Sequence, residues 1–229
     1  MTKYLLRFNK RDNMRFLSHL DLGRLFKRAI KRADIDVNFS EGFNPHEKIN
    51  IVHPLSLGFE SDGEYFEITT NTNYDVDELL GLMNIGMPHG LSFYTGRVVD
   101  EKNNYSNLSD ASLYDVCTVM TASEYGLIDL NSFLNQDEII VKKRDKKTKK
   151  YIEKNVKSFV YRIDDKGYKD DVLNLSLLLR TAPNETLNPI NLVNALLSYF
   201  DLSHCEEIKI TRKDILANRN GKYVSLFEV

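Results

Sequence analysis

Three histidines in the first quarter of the chain, His19, His46 and His53, are its best candidates for moving a proton near neutral pH, because an imidazole titrates near 6.5. Two of them keep unusual company. His19 lies in Phe16-Leu17-Ser18-His19-Leu20-Asp21-Leu22, and His46 lies in Glu41-Gly42-Phe43-Asn44-Pro45-His46-Glu47-Lys48. Both stretches set small and polar residues between apolar runs. As general acid or base, His19 or His46 would suit a metal-independent RNA endonuclease that deprotonates a 2′-hydroxyl. As metal ligands the three would need a further donor such as Asp21 or Glu47. Their spacing matches no compact zinc pattern, so neither a metal nor a cofactor is expected.

Simpler physics accounts for part of both motifs. Ser18 and Asp21 have capping-box spacing: the Ser hydroxyl can accept from the Asp21 N–H while the carboxylate reaches back. Gly42, Asn44 and Pro45 are what a turn requires. Phe43 is expected to anchor that turn in the core, and stacking on a base is the alternative for an exposed ring. Ser18, His19, Asn44 and His46 remain as a candidate pocket between a helix start and a loop. Glu60, Asp62, Glu64 and Glu67 are expected on a solvated turn. No glycine-rich phosphate loop, nucleophile elbow or zinc-protease motif occurs.

The elements that must position these residues follow from periodicity. Lys3 to Lys10 reads as a strand with Tyr4, Leu6 and Phe8 on one side. Leu22, Leu25, Phe26, Ala29, Ile30 and Ala33 form one apolar stripe of a helix. Strands over Lys48–Leu57 and Glu64–Thr70, a helix over Asp75–Asn84 and a strand over Leu91–Val98 complete a βαββαβ order. The same order is expected from Ser112 onward: strand 112–121, a helix within Glu124–Asn135, strands 138–144 and 173–181 with a further strand near 158–163. A helix from Asn188-Pro189 to Phe200 and strands 207–212 and 223–228 follow. The expectation is an α+β protein of two tandem ferredoxin-like units with antiparallel sheets. They would occupy residues 1–100 and 112–229, joined by a polar linker over 101–111.

The chain has 229 residues and a net charge of −2, but the charge is unevenly spread. Residues 1–33 hold ten Lys/Arg against two Asp, and residues 142–157 hold nine Lys/Arg against Asp145 and Glu153. Two basic islands therefore sit on an acidic remainder, a pattern suited to a polyanion such as RNA or to an acidic protein surface. Arg24, Lys27, Arg28 and Lys31 recur along one helix face as a ridge that can track phosphates. Lys146, Lys147, Lys149 and Lys150 belong to the second island, in a basic hairpin over 142–157. Two cysteines far apart, no membrane-length apolar run and no signal-peptide core point to a reduced, cytoplasmic protein with no membrane partner.

The run FLSHLDL, a basic helix and then SEGFNPHEKINIVHPLSLGFES resembles the radical-SAM-linked domain of unknown function, the DUF2344 family. The resemblance spans nearly the whole chain and is specific over Tyr4 to Glu67. It implies a protein that works beside a radical-SAM enzyme in RNA or ribosome-related metabolism. Two distant cysteines cannot hold the cluster of such an enzyme, so the chain is expected to be at most a companion of one. The family's DIRP-like segment after the basic run is replaced here by Tyr151-Ile152-Glu153-Lys154-Asn155-Val156. The reading is of a non-catalytic RNA-binding or adaptor protein. The alternatives are the histidine endonuclease and a protein-docking module for the radical-SAM partner.

Overall fold

The computed structural model describes residues 1–144, 150–202 and 207–229. In chain order its elements are β1 (Thr2–Lys10), α1 (His19–Arg32), β2 (Ile49–Val52), β3 (Glu60–Thr70), α2 (Val76–Asn84) and β4 (Leu91–Val99). They continue with α3 (Tyr105–Leu108), β5 (Ala111–Val119), α4 (Ala122–Tyr125), α5 (Leu130–Leu134), β6 (Ile140–Arg144) and β7 (Tyr151–Asn155). The remainder comprises β8 (Val160–Lys169), β9 (Val172–Ala182), β10 (Glu185–Thr186), α6 (Pro189–Tyr199), β11 (Ile208–Arg219) and β12 (Lys222–Ser225). The protein is a mixed α+β chain, and every strand pair with a described register is antiparallel. No helix among the described residues is long and apolar enough to cross a membrane.

Two compact units divide the chain: Met1–Asp110 with Arg212–Val229, and Ala111–Thr211. The first has the strand order β2-β3-β1-β4. Alternation along β1 sends Tyr4, Leu6 and Phe8 to the face covered by α1 and α2, where Phe26, Phe66 and Phe93 join them. Phe8 and Phe26 meet edge to face with ring centroids 5.1 Å apart, the offset geometry that aromatic quadrupoles favour. Leu5 and Tyr65 point to the opposite face and pack with Tyr105, Ile215, Ala217 and Leu226.

That second core explains two departures from the expected boundaries. Residues 101–111 are no free linker, because Asn104 caps the short helix α3 and Tyr105 is wholly buried. Residues 212–229, expected in the second unit, belong to the first because Ile215, Ala217 and Leu226 supply its core. Strand β2 is shorter than expected. It ends where His53 adopts a left-handed φ of 45° just before Pro54, a conformation that a regular ladder does not continue.

In the second unit β9 lies between β8 and β5, and the start of β11 follows β5, with the Val119 amide donating to the Glu207 carbonyl at 3.4 Å. The helix expected within Glu124–Asn135 is two helices. Thr121 caps the first in a full capping box and Asp129 caps the second, so the chain restarts after Gly126. Helix α6 opens as read, with Asn188 as N-cap and Pro189 in the first turn. Strands β6 and β7 form a separate two-stranded sheet.

Candidate functional site

Both histidine motifs lie in the first unit, on segments tied down at their bases. The first follows β1, whose last residue is Lys10. Lys10 is buried, and its ammonium donates to the Leu17 carbonyl at 2.9 Å and the Arg15 carbonyl at 3.4 Å. Burial holds that ammonium below the ordinary lysine value; Glu64 opposes the shift and Arg212 adds to it. The Gly58 amide donates to the same Arg15 carbonyl at 2.9 Å. This clasp fixes a 3₁₀ turn over Asp12–Phe16 and leaves Phe16 60% and Leu20 69% exposed. The Arg15 guanidinium lies 4.8 Å from the centroid of the Phe16 ring.

Ser18 is the N-cap of α1, as its spacing predicts. Its hydroxyl accepts from the Asp21 amide at 3.2 Å and donates to the Asp21 carboxylate at 2.7 Å. Asp21 thus closes onto the hydroxyl of Ser18. That hydrogen bond, with Arg24 adding to it, holds the carboxyl below its usual range.

The second motif is a loop pinched at its neck. The Ser40 amide donates to the His46 carbonyl at 2.8 Å, and the His46 amide donates to the Ser40 hydroxyl at 3.0 Å. A bridge joins Phe39 to Glu47. Gly42 turns the loop with a φ of 117°, a conformation open to glycine. Since the neck is closed by its own bonds, the tip reaches no core. Phe43 is fully exposed, which corrects the expectation that it anchors the loop.

Asn44 Nδ2 and His46 Nε2 lie 3.4 Å apart. Among the described residues, no hydrogen bond or ion pair joins Ser18 or His19 to Asn44 or His46. His19 is exposed on the first turn of α1. The structure thus places Asn44 against His46 in the loop and bonds Ser18 to Asp21 at the helix start.

The cationic ridge divides as well. Arg24 pairs with Asp21 at 3.1 Å and Lys27 with Glu47 at 2.7 Å, so a lysine of the ridge holds the base of the Phe43 loop. That bond holds the Glu47 carboxyl below its usual range. Arg28 and Lys31 are exposed and make no ion pair among the described residues. Beside Lys31 an open groove of about 630 Å³ is lined by Lys27, Lys31, Asp34, Asp36, Phe39 and Glu47. In the second island, Lys146, Lys147 and Lys149 lie outside the described residues, while Lys150 is exposed.

Glu64 and Glu67 correct the solvated-turn reading outright. Glu64 is 1% exposed and receives the Arg212 guanidinium on both oxygens, with Nε to Oε1 at 2.7 Å. Arg212 also donates to the His53 carbonyl at 2.7 Å. Glu67 pairs with Lys3 at 2.7 Å. The buried Lys10, Glu64 and Arg212 thus support both the FLSHLDL turn and the segment after β2. The signal was present in part: Lys10 continues the Tyr4, Leu6, Phe8 alternation, and Glu64 continues that of Phe66 and Ile68, so both point inward.

His53 is occupied structurally. Its Nε2 lies 2.9 Å from the Ser106 carbonyl and is also bonded to the Ser109 hydroxyl. Burial is the main cause of an imidazole pKa held below the ordinary value. The unfolded chain titrates near 6.5. His53 therefore costs no stability above about pH 6.5 and destabilises the first unit as pH falls through its lower folded value. Melting from pH 7.5 to 5 is expected to show this decline, and His53→Gln is expected to flatten it. An unchanged pH slope in the variant would contradict the assignment.

Among the described residues no group of three His, Cys, Asp or Glu is placed to hold a metal. Cys117 is a free, half-buried thiol that donates to Asn174 Oδ1 at 3.2 Å, and burial raises its pKa. Cys205 lies outside the described residues.

No curated protein matches the chain. Among solved structures it is similar to a "putative glycine cleavage system transcriptional repressor" at 9% identity, covering 95% of this chain and 98% of that one. The TM-score is 0.27, at which the likeness carries no weight for fold or function. A family model described as an uncharacterized protein conserved in bacteria (DUF2344) matches residues 3–189. That match covers both motifs, the clasp beneath them and most of the second unit, and the chain belongs to the DUF2344 family.

Proposed function

We propose that this chain is a non-catalytic RNA-binding protein of two tandem ferredoxin-like units, acting in the cytoplasm beside a radical-SAM protein. The RNA reading rests above all on Phe43, a fully exposed ring at the tip of a loop whose base is bonded to the basic helix. An exposed aromatic together with exposed cations is the combination that binds single strands, the ring stacking on a base while the cations neutralise phosphates. Phe16, exposed and backed by the Arg15 guanidinium, offers a second stacking face. Asn44 and His46 add polar edges next to Phe43.

The order β2-β3-β1-β4 with both helices on one face supports the ferredoxin-like reading of the first unit. The sequence β8-β9-β5-β11 repeats it in the second. The partnership with a radical-SAM protein rests on the motif resemblance over Tyr4 to Glu67.

The ridge supplies the test. Arg28 and Lys31 are unpaired among the described residues, whereas Arg24 and Lys27 must first leave Asp21 and Glu47. By fluorescence anisotropy, Arg28→Ala with Lys31→Ala is expected to lower the log–log salt slope of RNA binding by roughly 1.4, about 0.7 per phosphate on a single strand. Arg24→Ala with Lys27→Ala is expected to lower it less. A wild-type slope in the Arg28/Lys31 variant would overturn the reading.

A further inference from the structure

We propose that the groove between α1 and residues 35–39 of the first unit takes an extended peptide of a partner protein, which adds as a strand to the open edge at Val37 and Phe39. Asn38, between them, is turned to the fold: its amide donates to the Thr69 carbonyl and its carbonyl accepts from the Lys48 amide, both at 2.8 Å. Antiparallel bridges on either side, Val37↔Thr70 and Phe39↔Glu47, keep the run extended. Successive residues of such a run aim their N–H and C=O groups at opposite edges. The Val37 carbonyl and the Phe39 amide and carbonyl therefore face away, and none of the three has a hydrogen-bond partner among the described residues. Three such groups on an open edge are a template for a further strand.

The side chains beside that edge form the receptacle. Val37 and Phe39, two apart and so on one face, line the groove with Ile30 and Ile35. Lys27, Ile30 and Lys31 form one stripe of α1 and make its opposite wall. The floor is apolar, and Phe39 is left 48% exposed over it, open to an apolar side chain of the added strand. The rim carries both signs. Lys27 and Glu47 satisfy each other at 2.7 Å, and Asp36 accepts from Asn71 Nδ2 at 2.8 Å and Thr72 Oγ1 at 3.0 Å. Lys31 and Asp34 stay exposed and make no ion pair among the described residues. With two cations against three carboxylates, this rim offers no net attraction to a phosphodiester. It matches a peptide that sets a basic residue against Asp34 and an acidic one against Lys31, with an apolar residue over Phe39. The outward backbone groups call for two N–H donors and one acceptor at strand spacing, which a peptide backbone supplies. The proposal stands apart from the RNA reading, with which it shares Lys31.

The experiment selects binders of the full chain from a random decapeptide library and measures the best of them, made synthetically, by calorimetry and NMR. Selected sequences are expected to carry apolar residues at alternate positions with a Lys or Arg nearby, and selection on Asp34→Lys is expected to lose that basic residue. On binding, the Phe39 amide is expected to gain protection from hydrogen exchange, whereas the Asn38 amide, already bonded to Thr69, changes little. An N-methyl scan of the peptide is expected to find two sensitive amides two residues apart, each costing about fivefold or more in affinity. Phe39→Ala, its fold verified by circular dichroism, is expected to weaken binding by about tenfold. Peptides held no tighter than about millimolar, shifts that map away from the groove, or a scan without sensitive amides overturns the proposal. So does protection of the Phe39 amide by single-stranded RNA, or by a second copy of the chain, in the peptide's place.

Discussion

Arg212→Ala is expected to destabilise the first unit by about 3–5 kcal/mol, the cost of leaving a buried carboxylate without its partner. Arg212 and Glu64 are 3% and 1% exposed at their side chains and meet in a two-oxygen contact. The loss extends past the pair, because the His53 carbonyl also gives up its donor. Lys10 remains near Glu64 and offsets part of the effect by Coulomb attraction. The denaturant or thermal transition of the first unit measures the change. Replacing both partners by apolar residues, Glu64→Leu with Arg212→Met, is expected to recover much of it, since a well-packed apolar pair avoids the desolvation of two ions. A loss under 1 kcal/mol in Arg212→Ala would show that the pair is hydrated and not the support described here.

Phe43→Ala is expected to leave stability within about 0.5 kcal/mol of wild type while costing about 1–3 kcal/mol of RNA affinity, some 5- to 150-fold. The two halves of this expectation have one cause: the ring touches nothing in the fold and is free for a base. Phe43→Tyr keeps a π-face and is expected to keep most of the affinity. A folded Phe43→Ala protein with unchanged RNA affinity would remove the loop from the binding surface.

Much of the architecture was legible because it rests on local periodicities. The Tyr4, Leu6, Phe8 alternation and the Leu22 to Ala33 stripe locate β1 and α1. Capping chemistry locates the starts of α1, α2 and α6 at Ser18, Asp75 and Asn188. What escaped was non-local. That Arg212 meets Glu64 depends on a strand 148 residues away returning to β3, which no local pattern encodes. Glu64 was assigned to solvent because charge usually is, although its alternation with Phe66 and Ile68 already pointed it inward.

The candidate site shows the same division. Turn chemistry identified the Gly42–Pro45 loop, but whether Phe43 folds back or stands out depends on the closure of Ser40 onto His46. The ridge was legible as four cations, while its division into two paired and two unpaired required the positions of Asp21 and Glu47. Gly63 follows the same rule. Its lack of a side chain matters because a Cβ there would overlap the Lys213 carbonyl, a contact invisible in the sequence around it.

The most direct test of the central claim is the salt dependence of single-stranded RNA binding by the wild-type protein. Affinity is expected to fall linearly on a log–log plot, with a slope of at least about −1.4 from Arg28 and Lys31 alone. Binding no tighter than about millimolar at low salt, or a slope near zero, would contradict it, because a surface built to neutralise phosphates must release counterions when it binds.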